Sequence, residues 1–328
     1  MQTLKKSLVL AVAGAFLATV SQAKTTVDSA IPAYRPTSGI SGSLSAIGSD
    51  TLNNLMAMWA EGFKKQYPNV KIQIEGKGST TAPPALIAGS AQLGPMSREM
   101  KSSEIDAFER KYGYKPTQIK VSLDALSVYV NKDNDVSKLK LEEVDAIFSK
   151  TRRGGLKNIS DWSQVGGAKG AISIYGRNSA SGTYGFFKDN ALFGGDYKPE
   201  VKEQPGSASV VQGVSRDKNG IGYSGMGYKT SGVKALAIVP KGKTDAVEPN
   251  AENVYNNTYP LRRYLYIYVN KAPNKEMDPL TAQFLTYVLS KEGQEVTLKD
   301  GFLPLPGDVD MAESAKTGAS KAENEKAE

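Results

Sequence analysis

The sequence predicts an α/β fold in which mainly parallel sheets are flanked by helices and the chain is divided into two lobes. Two observations support this prediction. Short strand patterns alternate with helix patterns, and four of the strand-to-helix turns are rich in hydroxyl side chains. Two long β patterns, far apart in the chain, also end in the same Val-Asn-Lys, at 130–132 and 269–271. We interpret these as two crossover strands; the alternative is a chance similarity between β patterns.

The first 23 residues have the pattern of a secretory signal. Lys5 and Lys6 form a positive region, residues 8–20 are apolar, and Ser21-Gln22-Ala23 is a small-x-small cleavage site. The alternative is a buried N-terminal helix. Because the chain has no Cys, lipid anchoring through a cysteine and disulfides are not expected. We therefore predict a signal peptide at 1–23 and an exported protein that is periplasmic and can also be secreted.

Composition excludes several function classes. The 328 residues are 40% hydrophobic and 23% charged, which is typical of a globular protein. The net charge is +7, or +5 without Lys5 and Lys6, and its scattered distribution suits a small anion better than nucleic acid. With no His and no Cys, neither a Ser–His–Asp nor a Cys–His site nor a His/Cys metal site can form. We expect no catalytic residues, metal or cofactor, although carboxylate metal sites remain open.

The first lobe begins with three units in which a hydroxyl-rich turn precedes a helix. In the first, the strand at 44–48 and the turn Ser49-Asp50-Thr51 lead into a helix at 52–67, which Pro68 closes. In the second, a strand at 70–74 and the turn at 78–81 precede a helix that ends near residue 88. In the third, the turn at 97–98 precedes a helix at 101–112.

The fourth turn, at 177–183, lies between a strand at 171–175 and a short helix at 184–192. A helix that starts in Ser-Gly-Thr leaves free backbone N–H groups with the positive end of the helix dipole behind them. Arg177 adds a full charge, so the turn can cradle an anion. The alternative is an ordinary Ser/Thr helix cap. Since ligands bind at the carboxyl ends of parallel strands, all four turns are expected to share one crevice.

The crossover strands divide the chain. Lobe I comprises 24–131 and 263–310, lobe II is inserted as 132–262, and the tail at 311–328 has no core-forming pattern and is predicted to be disordered. Further predicted elements are helices at 141–148, 206–214 and 280–291 and strands after 219 and at 235–239.

Over residues 40–310 a series of motifs resembles the phosphate-binding subunit of bacterial phosphate ABC transporters (PstS type). These motifs are Gly48-Ser49-Asp50-Thr51, Gly78-Ser79-Thr80, Ser97-Arg98, Arg177-x3-Ser181-Gly182-Thr183, Gly220-Ile221-Gly222-Tyr223, Tyr259-Pro260-Leu261 and Gly301-x-Leu303-Pro304-Leu305-Pro306. The resemblance implies a monomeric, two-lobed periplasmic binding protein of type II. It would capture inorganic phosphate between its lobes and deliver it to the membrane permease of an ABC transporter.

The resemblance also implies which residues bind phosphate. Ligands matched to the family's positions, or placed in the same turns, are Thr51, Leu52 through its N–H, Ser79, Thr80, Ser97, Arg98, Arg177, Ser181, Gly182 and Thr183. Many members have Ser-Asp where this chain has Ser97-Arg98, and that Asp accepts the proton of hydrogen phosphate, which sulfate lacks. Our hypothesis makes Arg98 a second ligand or electrostatic anchor and Asp50 a substitute acceptor. The alternatives are a binding protein for sulfate or arsenate and a secreted phosphatase that uses Ser181 or Ser79.

Overall fold

Two long strands organise the chain, and both carry it between the lobes. The computed structural model describes residues 25–318, so the predicted signal peptide lies outside the described residues. The strands are β1 Gly42–Ile47, β2 Val70–Glu75, β3 Gly94–Met96, β4 Thr117–Asn131, β5 Lys138–Lys140, β6 Ser173–Arg177, β7 Lys202–Gln204, β8 Gly220–Gly225, β9 Val233–Ala235, β10 Ala237–Val239 and β11 Arg262–Val269.

The helices lie mainly between the strands, as the alternating pattern predicts. They are α1 Asn53–Gln66, α2 Ala82–Ala88, α3 Ser102–Tyr112, α4 Leu141–Phe148, α5 Gly182–Asn190, α6 Ser207–Arg216, α7 Ala251–Tyr255, α8 Pro279–Val288, α9 Lys291–Lys299 and α10 Gly307–Ser314. Across residues 25–318, none of these helices has both the length and the apolar character needed to cross a membrane.

The crossover strands β4 and β11 pair antiparallel, from Ala125 opposite Arg262 to Thr117 opposite Val269. Beyond that pairing, β4 continues and its second half pairs with β8, starting at Leu126. The outgoing strand therefore changes partners between Ala125 and Leu126, whereas the sequence boundary is drawn after Asn131. This partner change is the structural basis on which the two lobes can be distinguished.

The α/β class is confirmed, but the central sheet is mixed rather than mainly parallel. It has the order β3-β11-β4-β8-β6-β7, with β9 also paired to β4. The pairs β1–β2, β5–β10, β6–β7 and β6–β8 are parallel. The pairs that involve β4 or β11 are antiparallel, because one strand leaves the first lobe and the other returns to it.

The two largest of the four buried hydrophobic clusters in the described residues correspond mainly to the two lobes. In lobe I, Trp59, Phe63 and Phe284 are fully buried, and the Phe63 and Phe284 rings meet edge to face at 5.4 Å. In lobe II, the stacked Phe187 and Tyr223 rings form the centre, with centroids 4.0 Å apart. Each lobe thus buries an aromatic cluster of its own.

The predicted disordered tail is partly wrong. Residues 307–314 form α10 and residues 315–317 continue as a single turn of 3-10 helix, while residues 319–328 lie outside the described residues. A search for apolar patterns misses this segment because polar groups attach it to β4. Glu313 accepts from the Lys120 N–H at 3.1 Å, and Lys316 donates to the Gln118 carbonyl at 3.1 Å. These contacts extend lobe I beyond residue 310.

Candidate functional site

Three turns of lobe I lie at one edge of its strands. Asp50–Leu52 forms a short 3-10 turn between β1 and α1, and Ser79–Thr81 forms another between β2 and α2. Because β1 and β2 are parallel, their carboxyl ends meet at this edge. Ser97 directly follows β3, and its N–H donates to the Ser79 Oγ at 3.0 Å, which joins the third turn to the second.

The lobe II part of the site is the start of α5. Ser181 caps the helix, its Oγ accepting from the Tyr184 N–H at 3.3 Å. The first-turn N–H groups of Gly182 and Thr183 have no partner within the helix, and they carry the positive end of its dipole. Gly182 touches lobe I: a Cβ there would lie 2.1 Å from the Ser79 Oγ and 2.7 Å from the Ser97 Oγ.

Four hydroxyls from the two lobes meet in what we call the hydroxyl cluster, formed by Thr51, Ser79, Ser97 and Thr183. The Thr51 and Thr183 oxygens are 2.8 Å apart, and the Ser97 Oγ is 3.3 Å from both the Thr183 Oγ1 and the Ser79 Oγ. All four side chains are buried. Each hydroxyl can donate one hydrogen bond, so the cluster is a convergent set of donors.

Arg177, the last residue of β6, places a buried charge beside this cluster. Its side chain is 2% exposed, and its Nη1 lies 3.1 Å from the Asp50 Oδ2 across the cleft and donates to the Ser207 Oγ at 2.8 Å. Ser207 in turn lies 3.5 Å from the Thr51 Oγ1. Burial lowers the pKa of Arg177, and the charge of Asp50 opposes that lowering. Within the described residues, the buried Nε of Arg177 has no hydrogen-bond partner, so it is an available charged donor.

A second buried guanidinium, that of Arg263, contacts Thr183 directly. Arg263, near the start of β11, donates from Nη1 to the Thr183 Oγ1 at 3.0 Å. Its Nη2 lies 2.7 Å from the Oδ2 of Asp124 on β4, and both side chains are at most 2% exposed. The hydroxyl cluster is therefore flanked by two guanidiniums, each paired with one carboxylate.

Not every sequence-predicted residue reaches the hydroxyl cluster. Arg98 is directed away from it: its Nη1 and Nη2 each donate to a different carboxylate oxygen of Glu104 on α3, both at 2.7 Å. This geometry does not support the hypothesis that Arg98 is a second phosphate ligand, because the Glu104 carboxylate already binds its guanidinium. Thr80 uses both its N–H and its hydroxyl on the Ala180 carbonyl, at 3.2 and 3.1 Å, and so joins the lobes. Leu52 buries its side chain in the lobe I core, which leaves only its backbone for a ligand.

Other polar residues of the site were not in the predicted ligand set. Asp50, hypothesised as a proton acceptor, is the ion-pair partner of Arg177 and also accepts from the Ser207 N–H at 2.8 Å. Ser207 follows a glycine at the start of α6, the same hydroxyl-turn signal as in the other four turns. Arg263 and Asp124 could have been found from the sequence, because each is a charged residue within a crossover strand, and a charge buried in a sheet requires a partner.

The arrangement suits a small oxyanion. Hydroxyl, amide and guanidinium donors converge from both lobes, as a buried multivalent anion requires. For the two serines considered as nucleophiles, the hydrogen-bond partners in the described part of the chain are Ser97 for Ser79 and the Tyr184 N–H for Ser181. Neither serine is hydrogen-bonded to a carboxylate or an amine there.

Comparison with known proteins gives consistent similarities. Residues 22–292 match the family model described as the PBP superfamily domain. The phosphate-binding protein PstS of Pseudomonas aeruginosa is 58% identical over 288 residues, covering 86% of this chain and 89% of that protein. Protein SphX of Synechococcus elongatus is 31% identical, with coverage of 85% and 82%. A phosphate ABC transporter substrate-binding protein of Clostridium perfringens, solved with bound phosphate, is similar with a TM-score of 0.70 and 26% identity, covering 81% of this chain and all of that one.

Proposed function

The chain belongs to the PBP superfamily and within it to the PstS-type phosphate-binding proteins, and from this premise we propose that it captures inorganic phosphate between its two lobes and delivers it to the permease of an ABC transporter. The type II periplasmic binding fold predicted from the sequence agrees with this membership. The observation that carries the proposal is the hydroxyl cluster, in which donors from both lobes lie within 3.3 Å of one another beside the buried Arg177.

We assign the phosphate oxygens to donors on both lobes. Thr51, Ser79 and Ser97 donate hydroxyls from lobe I, together with the Leu52 N–H. From lobe II the donors are the Thr183 hydroxyl, the first-turn N–H groups of α5 and the guanidinium of Arg177. Ser181 shapes the start of α5, and Thr80 holds the lobes together through Ala180.

Closure follows from this division of donors. Only when the lobes meet is the shell of hydrogen bonds complete, so the anion stabilises the closed form. Each charge-assisted hydrogen bond contributes about 1.5–3 kcal/mol, and several together account for an affinity of about 1 μM after the costs of association.

The relatives are binding proteins, and we propose that this chain likewise has no enzymatic activity. We also propose that it acts as a monomer after export to the periplasm. Turnover of p-nitrophenyl phosphate by the purified protein would contradict the first statement.

The test of the proposed function is a calorimetric titration of the mature protein with phosphate, with sulfate and with arsenate. We expect tight phosphate binding, weaker binding of the other two anions, and a loss of at least about a hundredfold in Arg177→Ala, since a charged donor is removed from a buried anion. Arg110→Ala is the matched control, because it removes the same charge from an exposed position on α3 and should bind normally. Normal phosphate binding by Arg177→Ala would show that the site is elsewhere.

A further inference from the structure

We propose that Arg263 is a positioning residue that fixes the Thr183 hydroxyl as a donor to the bound anion and couples this orientation to lobe closure. The inference rests on the proposed function, which it deepens by adding a residue from a crossover strand to the phosphate-binding machinery. It starts from three features of Arg263: its burial with Asp124, its contacts with both lobes, and the direction it imposes on the Thr183 proton.

The pair with Asp124 fixes the guanidinium. Nε and Nη2 of Arg263 both donate to the Asp124 Oδ2, at 2.9 and 2.7 Å, while the Asp124 Oδ1 accepts from the Met226 N–H at 2.9 Å. Both side chains are buried in the centre of the sheet, where the two crossover strands pair. A buried ion pair contributes little net stability relative to apolar residues. This pair is therefore better understood as a device that holds the remaining nitrogen, Nη1, in one place.

Nη1 joins the two lobes. It donates to the Ser97 carbonyl in lobe I at 2.9 Å and to the Thr183 Oγ1 in lobe II at 3.0 Å. A guanidinium nitrogen of this type carries two hydrogens, so these two bonds use both of them. Because Arg263 is held to lobe I through Asp124 and Ser97, its bond to Thr183 links the two lobes in this conformation.

This bond determines the direction of the Thr183 proton. Arginine has no acceptor, so the Thr183 oxygen must be the acceptor in this contact. The single hydroxyl hydrogen of Thr183 then points away from Arg263, toward the hydroxyl cluster, where the Thr51 oxygen lies 2.8 Å away. An anion in the cluster therefore meets Thr183 as a donor without any need to reorient it, which is the preorganisation that favours tight binding.

The charge of Arg263 acts in the same direction. Burial lowers the pKa of Arg177, and the like charge of Arg263 contributes to that lowering, so the two guanidiniums act on each other across the site. An anion bound near both guanidiniums offsets this repulsion.

The test is a double-mutant cycle in phosphate affinity. We combine Asp124→Asn with Arg263→Gln, which replaces the ion pair by a neutral amide pair and leaves no unpaired buried charge. This paired variant is measured alone and in a Thr183→Val background. We expect the pair and Thr183→Val each to weaken phosphate binding about ten- to hundredfold, the range of one hydrogen bond to a charged group. In the Thr183→Val background the pair should add no more than about twofold, because Arg263 acts through the missing hydroxyl.

The inference would be overturned if the combined variant lost affinity by the product of the losses of the paired variant and of Thr183→Val. Normal phosphate binding by the paired variant would also overturn it. Arg262→Gln is the control, since it removes the same charge from the neighbouring position on β11, where the side chain donates to Asn257 instead. If the paired variant fails to fold in a thermal melt, Arg263→Lys replaces it: its ammonium keeps the charge beside Asp124 but cannot reproduce the fork, and it should still lose affinity. Absence of phosphate binding by the wild-type protein would instead refute the proposed function.

Discussion

Gly182→Ala is the change that tests most directly whether the lobes must close on one another to bind phosphate. Adding one methyl group places a carbon 2.1 Å from the Ser79 Oγ and 2.7 Å from the Ser97 Oγ. Van der Waals contact between such atoms needs at least about 3.4 Å, so a displacement of about 1 Å is required. Ser79 and Ser97 are short and fully buried, which leaves their Oγ atoms little room to move away. The methyl group therefore holds lobe I and lobe II apart.

The expected result is a loss of binding without a loss of folding. With the lobes about 1 Å further apart, one anion cannot stay within hydrogen-bond distance of Thr51 and Ser97 in lobe I and of Thr183 in lobe II at the same time. Losing two such bonds weakens phosphate binding by about a hundredfold or more. The thermal midpoint of the unliganded variant should not fall, because alanine is a better helix former than glycine and the two cores are untouched.

The assay is calorimetry with phosphate, together with small-angle X-ray scattering to follow closure. Gly185→Ala is the control: it adds the same methyl group one turn along α5, where the nearest atom is the Arg98 Cδ at 3.3 Å, part of a long side chain that can adjust. We expect Gly185→Ala to bind phosphate and to close normally. Wild-type affinity and closure in Gly182→Ala would refute the conclusion that the hydroxyl cluster is assembled by contact between the lobes.

Three further changes test the charges. Asp50→Asn should lower the ratio of phosphate to sulfate affinity about tenfold in competition calorimetry, since the carboxylate beside Arg177 that can accept the hydrogen bond of hydrogen phosphate, which sulfate cannot donate, is gone; an unchanged ratio would remove Asp50 from discrimination. Arg98→Gln should keep phosphate affinity within about twofold but destabilise the fold by about 1–3 kcal/mol, because Glu104 loses both hydrogen bonds; a tenfold loss of affinity would restore Arg98 as a ligand. Burial raises the pKa of Asp310 from 3.8 to about 7, so between these values the folded state binds more protons and stability falls as pH rises. Asp310→Asn should remove this fall and raise the free energy of unfolding by about 1–3 kcal/mol above pH 7 in urea titrations, whereas an unchanged pH profile would contradict it.

The parts of the site that could be predicted from the sequence are those determined by local structure. A strand followed by Ser-Gly-Thr and a helix exposes its first N–H groups whatever the rest of the chain does, so Gly182 and Thr183 could be identified from their neighbours alone. The same local signal marks Thr51 and Ser79. Parallel pairing of β1 and β2 brings Thr51 and Ser79 to one edge, whereas Gly182 and Thr183 follow β6 of another sheet and meet them across the cleft.

Arg98 shows where local inference fails. The sequence places it directly after Ser97, and position alone made it a ligand, but the direction of a long side chain depends on partners distant in space. Glu104, in the first turn of α3, is six residues along the chain and offers both carboxylate oxygens, so the guanidinium pairs with it. The mixed sheet was missed for a similar reason, because strand direction depends on how β4 and β11 pair over more than a hundred residues of chain.

The two guanidiniums that flank the hydroxyl cluster differ in a way that bears on how the protein opens. The partner of Arg177 is Asp50, which lies across the cleft, so this pair must separate when the lobes part. The partner of Arg263 is Asp124, on the adjacent crossover strand, so this pair persists in either state. A charge whose partner leaves on opening becomes available to an incoming anion, whereas a charge with a permanent partner can only orient its neighbours. We therefore expect Arg177 to control the capture of phosphate and Arg263 to control the completion of its hydrogen-bond shell on closure.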